Sequence, residues 1–205
     1  MFSHKLRLES LCTVQLRDID LTLAAGEQVF LSGVSGSGKS LLLRAIADLD
    51  PHSGEVWLDD QPRSRLSPPE WRRRVGLLPT ESHWWAETVG EHWPICAMTR
   101  DMERLLGMLD FDVDVRDWSI TRLSTGERQR LALVRLLFNQ PQVLLLDEAT
   151  ANLDLVNRER VETVLKEYRT THNATVLWVS HDLEQRVRLG GRRLVIRGER
   201  LEPES

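Results

Sequence analysis

The chain has 205 residues, room for one domain, or one with a small inserted lobe, around a sizeable core. Its 41% hydrophobic and 28% charged residues, with a mean hydropathy of -0.32, exclude a disordered or fibrous chain and describe an ordinary globular one. A net charge of -4 and a pI near 5.9 speak against a protein that grips nucleic-acid phosphates, so no nucleic-acid partner is expected.

The opening MFSHKLRLES holds no apolar stretch of the kind a secretory signal carries, and no run approaches the roughly 20 apolar residues of a bilayer crossing. Any service to a membrane is therefore expected to run through a partner. KLRLES and QLRDIDLTL alternate apolar and polar residues, which predicts half-exposed antiparallel strands. AAGEQVFLSG gives a turn and a buried strand running into glycines. KSLLLRAIADL has helical spacing, and Pro51, Ser53 and Gly54 end it before the strand GEVWLDD. PPEWRRR reads as a short helix whose Arg72, Arg73 and Arg74 form a solvated end, and VGLLP as another buried strand.

From Thr88 to about Asp117 the pattern turns helical, Trp-bearing and irregular, which predicts an inserted helical lobe. His92 and Cys96 are spaced to share a helix face there, but two ligands do not make a zinc site. The two cysteines, Cys12 and Cys96, are far apart and suggest a reduced compartment with no disulfide framework. In LSTGERQR, Ser124 is a good N-cap and Glu127 completes a capping box, opening the helix GERQRLALVRLLF. QVLLLD follows as a buried strand, LVNRERVETVLKEYRTT as an amphipathic helix, ATVLWVS as a buried strand and RRLVIRG as the final strand. Unbroken apolar strands alternating with helices predict a mainly parallel sheet covered on both faces.

GVSGSGKS, Gly33 to Ser40, is a complete G-x-x-x-x-G-K-[ST] pattern between a predicted strand and a predicted helix. Glycines let the backbone wrap a polyphosphate closely, and the following helix offers its positive end. Lys39 is expected to reach the β and γ phosphates, and the Ser40 hydroxyl to hold magnesium. VLLLDEAT ends a buried strand in Asp147, a carboxylate expected beside that magnesium, and Glu148, placed to orient the attacking water or take its proton. Two adjacent acids ending an apolar strand are a poor structural choice without a nearby cation.

GVSGSGKS, LSTGERQR, VLLLDEAT, ANLD and WVSHD follow one another in the order and approximate spacing of an ATP-binding cassette nucleotide-binding domain. The chain resembles that family over essentially its whole length. The resemblance implies a single nucleotide-binding domain over 1–205. Its fold would be the α/β P-loop NTPase type, with a mainly parallel sheet, an N-terminal antiparallel β subdomain and a helical lobe inserted at about 82–135. It implies an ATPase using ATP and magnesium, with Gly33, Val34, Ser35, Gly36, Ser37, Gly38, Lys39, Ser40 and Leu41 around the nucleotide. It further implies a head-to-tail homodimer in which Ser124 and the amides of Gly126 and Glu127 bind the γ-phosphate held by the partner. Asp154 would cross the interface, and His181 would contact the γ-phosphate and the catalytic water.

LSTGE carries Thr125 and Glu127 where the family's signature more often has glycine and glutamine, a change that leaves the backbone amides intact. Where the family usually has a glutamine after the VGLLP strand, this chain has Thr80, a shorter oxygen donor toward magnesium, and then Glu81, which suggests unusual coupling or turnover. No aromatic stands near Leu11 to stack on adenine, which suggests loose base recognition. ESHWWAETVGEHW lies where transporter cassettes receive a helix of their membrane subunit, and Trp84, Trp85 and Trp93 suit such a groove or the core of the lobe. The expected role is the ATPase of a transporter, bound to an integral membrane permease on the cytoplasmic face of the inner membrane and more exporter-like than importer-like. VLLLDEATANLD with ATVLWVSHD further resembles the small stand-alone ATPases of a bacterial two-component exporter family implicated in iron homeostasis. The alternatives are a soluble cassette ATPase driving a cytosolic assembly machine, or a nucleotide sensor with weak hydrolysis.

Overall fold

The computed structural model describes residues 6–93 and 99–204, so Lys5 and Cys96 fall outside the described residues. The strands are β1 (Leu6–Cys12), β2 (Ile19–Leu23), β3 (Gln28–Gly33), β4 (Ser53–Leu58), β5 (Gln61–Pro62), β6 (Val75–Leu78), β7 (Val143–Asp147), β8 (Thr175–Val179), β9 (Arg192–Arg197) and β10 (Arg200–Pro203). The helices are α1 (Lys39–Ile46), α2 (Pro68–Arg74), α3 (Arg100–Met108), α4 (Thr125–Leu137), α5 (Leu155–His172) and α6 (Leu183–Leu189).

Two sheets result. The first, in the order β2-β1-β4-β5, is antiparallel, and its opening strands alternate buried and exposed residues as their sequence requires. The second, in the order β10-β9-β3-β8-β7-β6, is parallel except for β10 against β9. β7 shows why its sequence is apolar without a break. Val143 and Leu145 enter the core shared with α1 and the antiparallel sheet, while Leu144 and Leu146 enter the core shared with α4 and α5. Each of these leucines is fully buried, and truncating one to alanine costs about 2–5 kcal/mol. Between the layers, the Trp71 indole N–H donates to the Ile46 carbonyl at 2.8 Å and ties α2 to α1.

Three sequence expectations need correction. β9 is not the last strand, because Gly198 turns the chain at φ 60° and sends β10 back along it. α6 is an additional helix, too short and polar to show a clear apolar period. The stretch from Thr88 to Asp117 is less helical than expected, since among the described residues it holds α3 and the single turns Gly90–His92 and Val113–Asp117. FDVDVRDW is punctuated by aspartates, whose short side chains favour caps and turns over helix interiors. His92 closes one of those turns, and its Nε2 accepts the N–H groups of Trp85 at 2.9 Å and Ala86 at 3.1 Å.

Candidate functional site

The site forms at the carboxyl ends of β3, β7 and β8, where an open parallel sheet characteristically binds ligands. β3 runs directly into the loop Gly33–Gly38. Gly33 has φ 145°, and a Cβ there would come within 2.8 Å of Ser37 Oγ and 3.1 Å of the Ile196 carbonyl, so this bend admits only glycine. Lys39 folds back over the loop, and its Nζ donates to the carbonyls of Gly33 and Val34 at 2.9 Å each. An ammonium carries three donors, so one remains to meet a phosphate.

α3, α4, α5 and α6 each begin on a side chain that accepts an N–H from the first turn: Thr99, Ser124, Asp154 and Asp182. α1 begins instead on Gly38 at φ 95°, with no side-chain cap. Its first amides are free to face an anion, and the buried Ser37 hydroxyl beside them has no hydrogen-bond partner. The sequence places Ser40 and Leu41 in that same first turn.

β7 and β8 pair with Asp147 opposite Val179, which sets the two strand ends side by side. Asp147 is buried. Glu148 leaves the strand at φ 52° with its N–H on the Val179 carbonyl at 3.1 Å, and its carboxylate stands 3.2 Å from His181 Nε2. Burial lowers the Lys39 pKa, while the charges of Glu148 and Asp147 pull it back up, so the three groups share one electrostatic field. The hydroxyl of Ser40 and the Asp147 carboxylate are hard oxygen donors, a set that suits magnesium. On the neighbouring strand Leu78 pairs with Leu146, and the chain then runs through Pro79 to Thr80 and an exposed Glu81. Gln129 of α4 holds that turn, donating to the Pro79 carbonyl at 3.2 Å and accepting from Ser82 Oγ at 3.3 Å.

The remaining expected residues lie together elsewhere. Ser124 accepts the Glu127 N–H at 3.2 Å, and the Glu127 carboxylate accepts the Ser124 N–H at 2.8 Å, a closed capping box. A Cβ on Gly126 would lie 3.3 Å from Leu153, so the start of α4 abuts the ANLD turn. In that turn Asp154 caps α5 through the Asn157 N–H at 2.9 Å. Among the described residues no hydrogen bond links Ser124, Gly126, Glu127 or Asp154 to residues 33–41. Leu11 is fully buried in the core and presents nothing to a base, whereas Val14 beyond it is 82% exposed and Gln15 and Leu16 pack against Gly38.

The tryptophans differ in exposure. Trp93 is buried, while Trp85 is 69% exposed at a cavity of about 420 Å³ that Pro79, Trp93, Arg135 and Phe138 also line. The Arg135 guanidinium stands 4.6 Å from the Trp84 ring and 4.9 Å from the Trp85 ring. Thr150, Ser180 and Gln185 also belong to the neighbourhood of Glu148 and His181, and no motif marks their connection in the sequence.

The model of the family described as "ABC transporter" matches residues 16–151. The probable iron export ATP-binding protein FetA of Escherichia coli (strain K12) is 34% identical over 178 residues, covering 83% of this chain and 79% of its own length. The aliphatic sulfonates import ATP-binding protein SsuB 3 of Nocardia farcinica is 37% identical, covering 91% of this chain and 72% of its own. The lipoprotein-releasing system ATP-binding protein LolD of Psychrobacter arcticus is 34% identical, with 90% and 88% covered. Among solved structures, the dimeric, post-hydrolysis ATP-binding cassette MJ0796 bound to ADP and Pi superposes with a TM-score of 0.82 at 26% identity, covering 98% of this chain and 97% of that one. The fold alone is also shared with an ATP-bound bacterial Atm1-family ABC exporter, at a TM-score of 0.85 and 21% identity over 97% of this chain and 38% of that chain.

Proposed function

Because the chain belongs to the ABC transporter family as an ATP-binding, ATP-hydrolysing subunit, we propose that it energises a separate integral membrane permease, as an exporter, from the cytoplasmic face of the inner membrane. The observation that carries this reading is the meeting of the uncapped α1 terminus, Lys39, the Asp147 and Glu148 pair and His181 at one end of one sheet. No helix among the described residues is long and apolar enough to cross a membrane, and in this reading the permease supplies the passage. Export is favoured by the likeness to FetA, whose name assigns it to iron export. Trp84, Trp85 and Arg135 would receive a short helix of the permease, with the exposed Trp85 face as anchor.

In this reading residues 33–41 wrap the triphosphate, and Lys39 gives its third N–H to the phosphate oxygens. Magnesium would be held by Ser40 and Asp147 with Thr80, and would supply positive charge against the phosphates. Glu148 orients the attacking water and accepts its proton, and His181, in contact with Glu148, holds the water and the γ-phosphate. Ser124, Gly126, Glu127 and Asp154 stand apart from the chain's own phosphate loop, which supports a homodimer closed by ATP in which they serve the partner's nucleotide. The whole chain then acts as one nucleotide-binding domain, with residues 82–135 as its helical lobe. Hydrolysis reopens the dimer and switches the permease between inward- and outward-facing states.

The test is magnesium-dependent ATP hydrolysis by the purified chain beside Glu148→Gln, each also sized with and without ATP. Turnover lost in the variant together with an ATP-induced dimer is the expected result. Turnover at the native rate in Glu148→Gln overturns the base assignment. Co-purification with soluble scaffold proteins instead of a permease would move the chain to a cytosolic assembly machine.

A further inference from the structure

Beneath the proposed catalytic pair, one buried side chain joins the two segments that carry it. Gln185 of α6 is 2% exposed. Its carbonyl oxygen accepts the Ser180 hydroxyl at 2.7 Å, and its amide nitrogen donates to Thr150 Oγ1 and to Glu162 Oε1, each at 2.8 Å. The Glu162 carboxylate can only accept, so it dictates which way the amide faces. That carboxylate is in turn fixed by Arg188, whose Nη2 donates to it at 3.0 Å.

Thr150 lies two residues after Glu148, and Ser180 lies directly before His181. Neither Glu148 nor His181 is clamped by packing of its own, since their side chains are 30% and 50% exposed. Their 3.2 Å approach therefore depends on how their backbones are held from below. Ser180, Thr150 and Glu162 are all buried, so a hydrogen bond lost here finds no water to replace it, and the spacing of the two segments is stiff.

We propose that Gln185 is a positioning residue for ATP hydrolysis, its amide setting the distance between Glu148 and His181 while the Glu162–Arg188 pair sets the direction of the amide. The inference rests on the reading of Glu148 and His181 given above. A displacement of the base by a fraction of an ångström acts on the chemical step and leaves the phosphate loop untouched, so kcat should change without ATP affinity.

Gln185→Met keeps the shape and removes the amide. Its kcat should fall by about tenfold or more, with the Kd for ATP within about twofold of wild type. Thr150→Val, which removes one hydrogen bond at nearly constant volume, should give the same split with a smaller loss, and serves if Gln185→Met does not fold. Gln185→Glu sets two carboxylates face to face and should lose more. Adding Glu162→Gln lets amide and carboxylate trade places and should return kcat to within about threefold of wild type. A native kcat in both Gln185→Met and Thr150→Val, or losses of kcat that merely track the folded fraction with no recovery in the swapped pair, would overturn the positioning role. Turnover surviving in Glu148→Gln, run alongside, would instead remove the assignment on which it rests.

Discussion

At the scale of single residues, the site is built from positions the backbone does not choose freely. Glu148 occupies the left-handed region at φ 52°, a conformation that costs a non-glycine residue about 1–2 kcal/mol. Glu148→Gly should therefore melt higher than Glu148→Ala while both lack turnover, and equal melting temperatures would show that the turn carries no strain. Gly33→Ala should abolish ATP binding, because its methyl meets Ser37 Oγ and the Ile196 carbonyl and cannot be placed without moving the loop. Lys39→Ala should likewise lose nucleotide binding, as calorimetric titration would report, and unchanged affinity would sink the phosphate-loop reading. Lys39, Asp147 and Glu148 were legible because each sits in a short motif whose chemistry constrains neighbouring positions. Gln185 was not, because its partners Thr150 and Glu162 are 35 and 23 residues away and only tertiary packing brings them together.

At the scale of elements, the helices report their purpose through their first turns. α4 begins with a closed capping box, and Ser124→Ala should cost about 1 kcal/mol in thermal or denaturant unfolding. The Ser124 backbone N–H holds the Glu127 carboxylate below the usual glutamate range. Because the folded pKa is the lower one, this contribution is fully present above the unfolded value of about 4.3 and is lost as the pH falls through the folded pKa. Glu127→Gln should then be less stable than wild type at neutral pH, with the gap closing in acid, and a gap constant across that range would contradict it. The strands and long helices were legible from their periods, since β1 and β2 alternate while β7 and β8 carry unbroken apolar runs, Val143 to Leu146 and Val176 to Val179, and are buried throughout. α6 and the turns around α3 were not, because a seven-residue helix with apolar side chains only at Leu183, Val187 and Leu189, or an Asp-punctuated run, carries too little apolar pattern to fix a conformation.

For the whole molecule, the tail at β10 is tied to the phosphate-loop strand. Glu204 pairs with the buried Arg186 of α6 and accepts from Ser32 Oγ at 2.9 Å, one residue before Gly33. Glu204→Ala leaves Arg186 buried without its carboxylate and should cost about 3 kcal/mol, a loss that Arg186→Met with Glu204→Leu should largely recover in thermal melts. The sheet's order has a further consequence. β3, which feeds the phosphate loop, pairs on either side with β8 and β9, so Gln28 meets Val176 and Val29 meets Arg192. During synthesis the strand emerges well before the partners it pairs with. Until β8 and β9 leave the ribosome, VFLSG is a bare apolar edge exposed to aggregation, and the nascent chain has no functioning nucleotide cradle. The phosphate loop is thus encoded long before the strands that complete it.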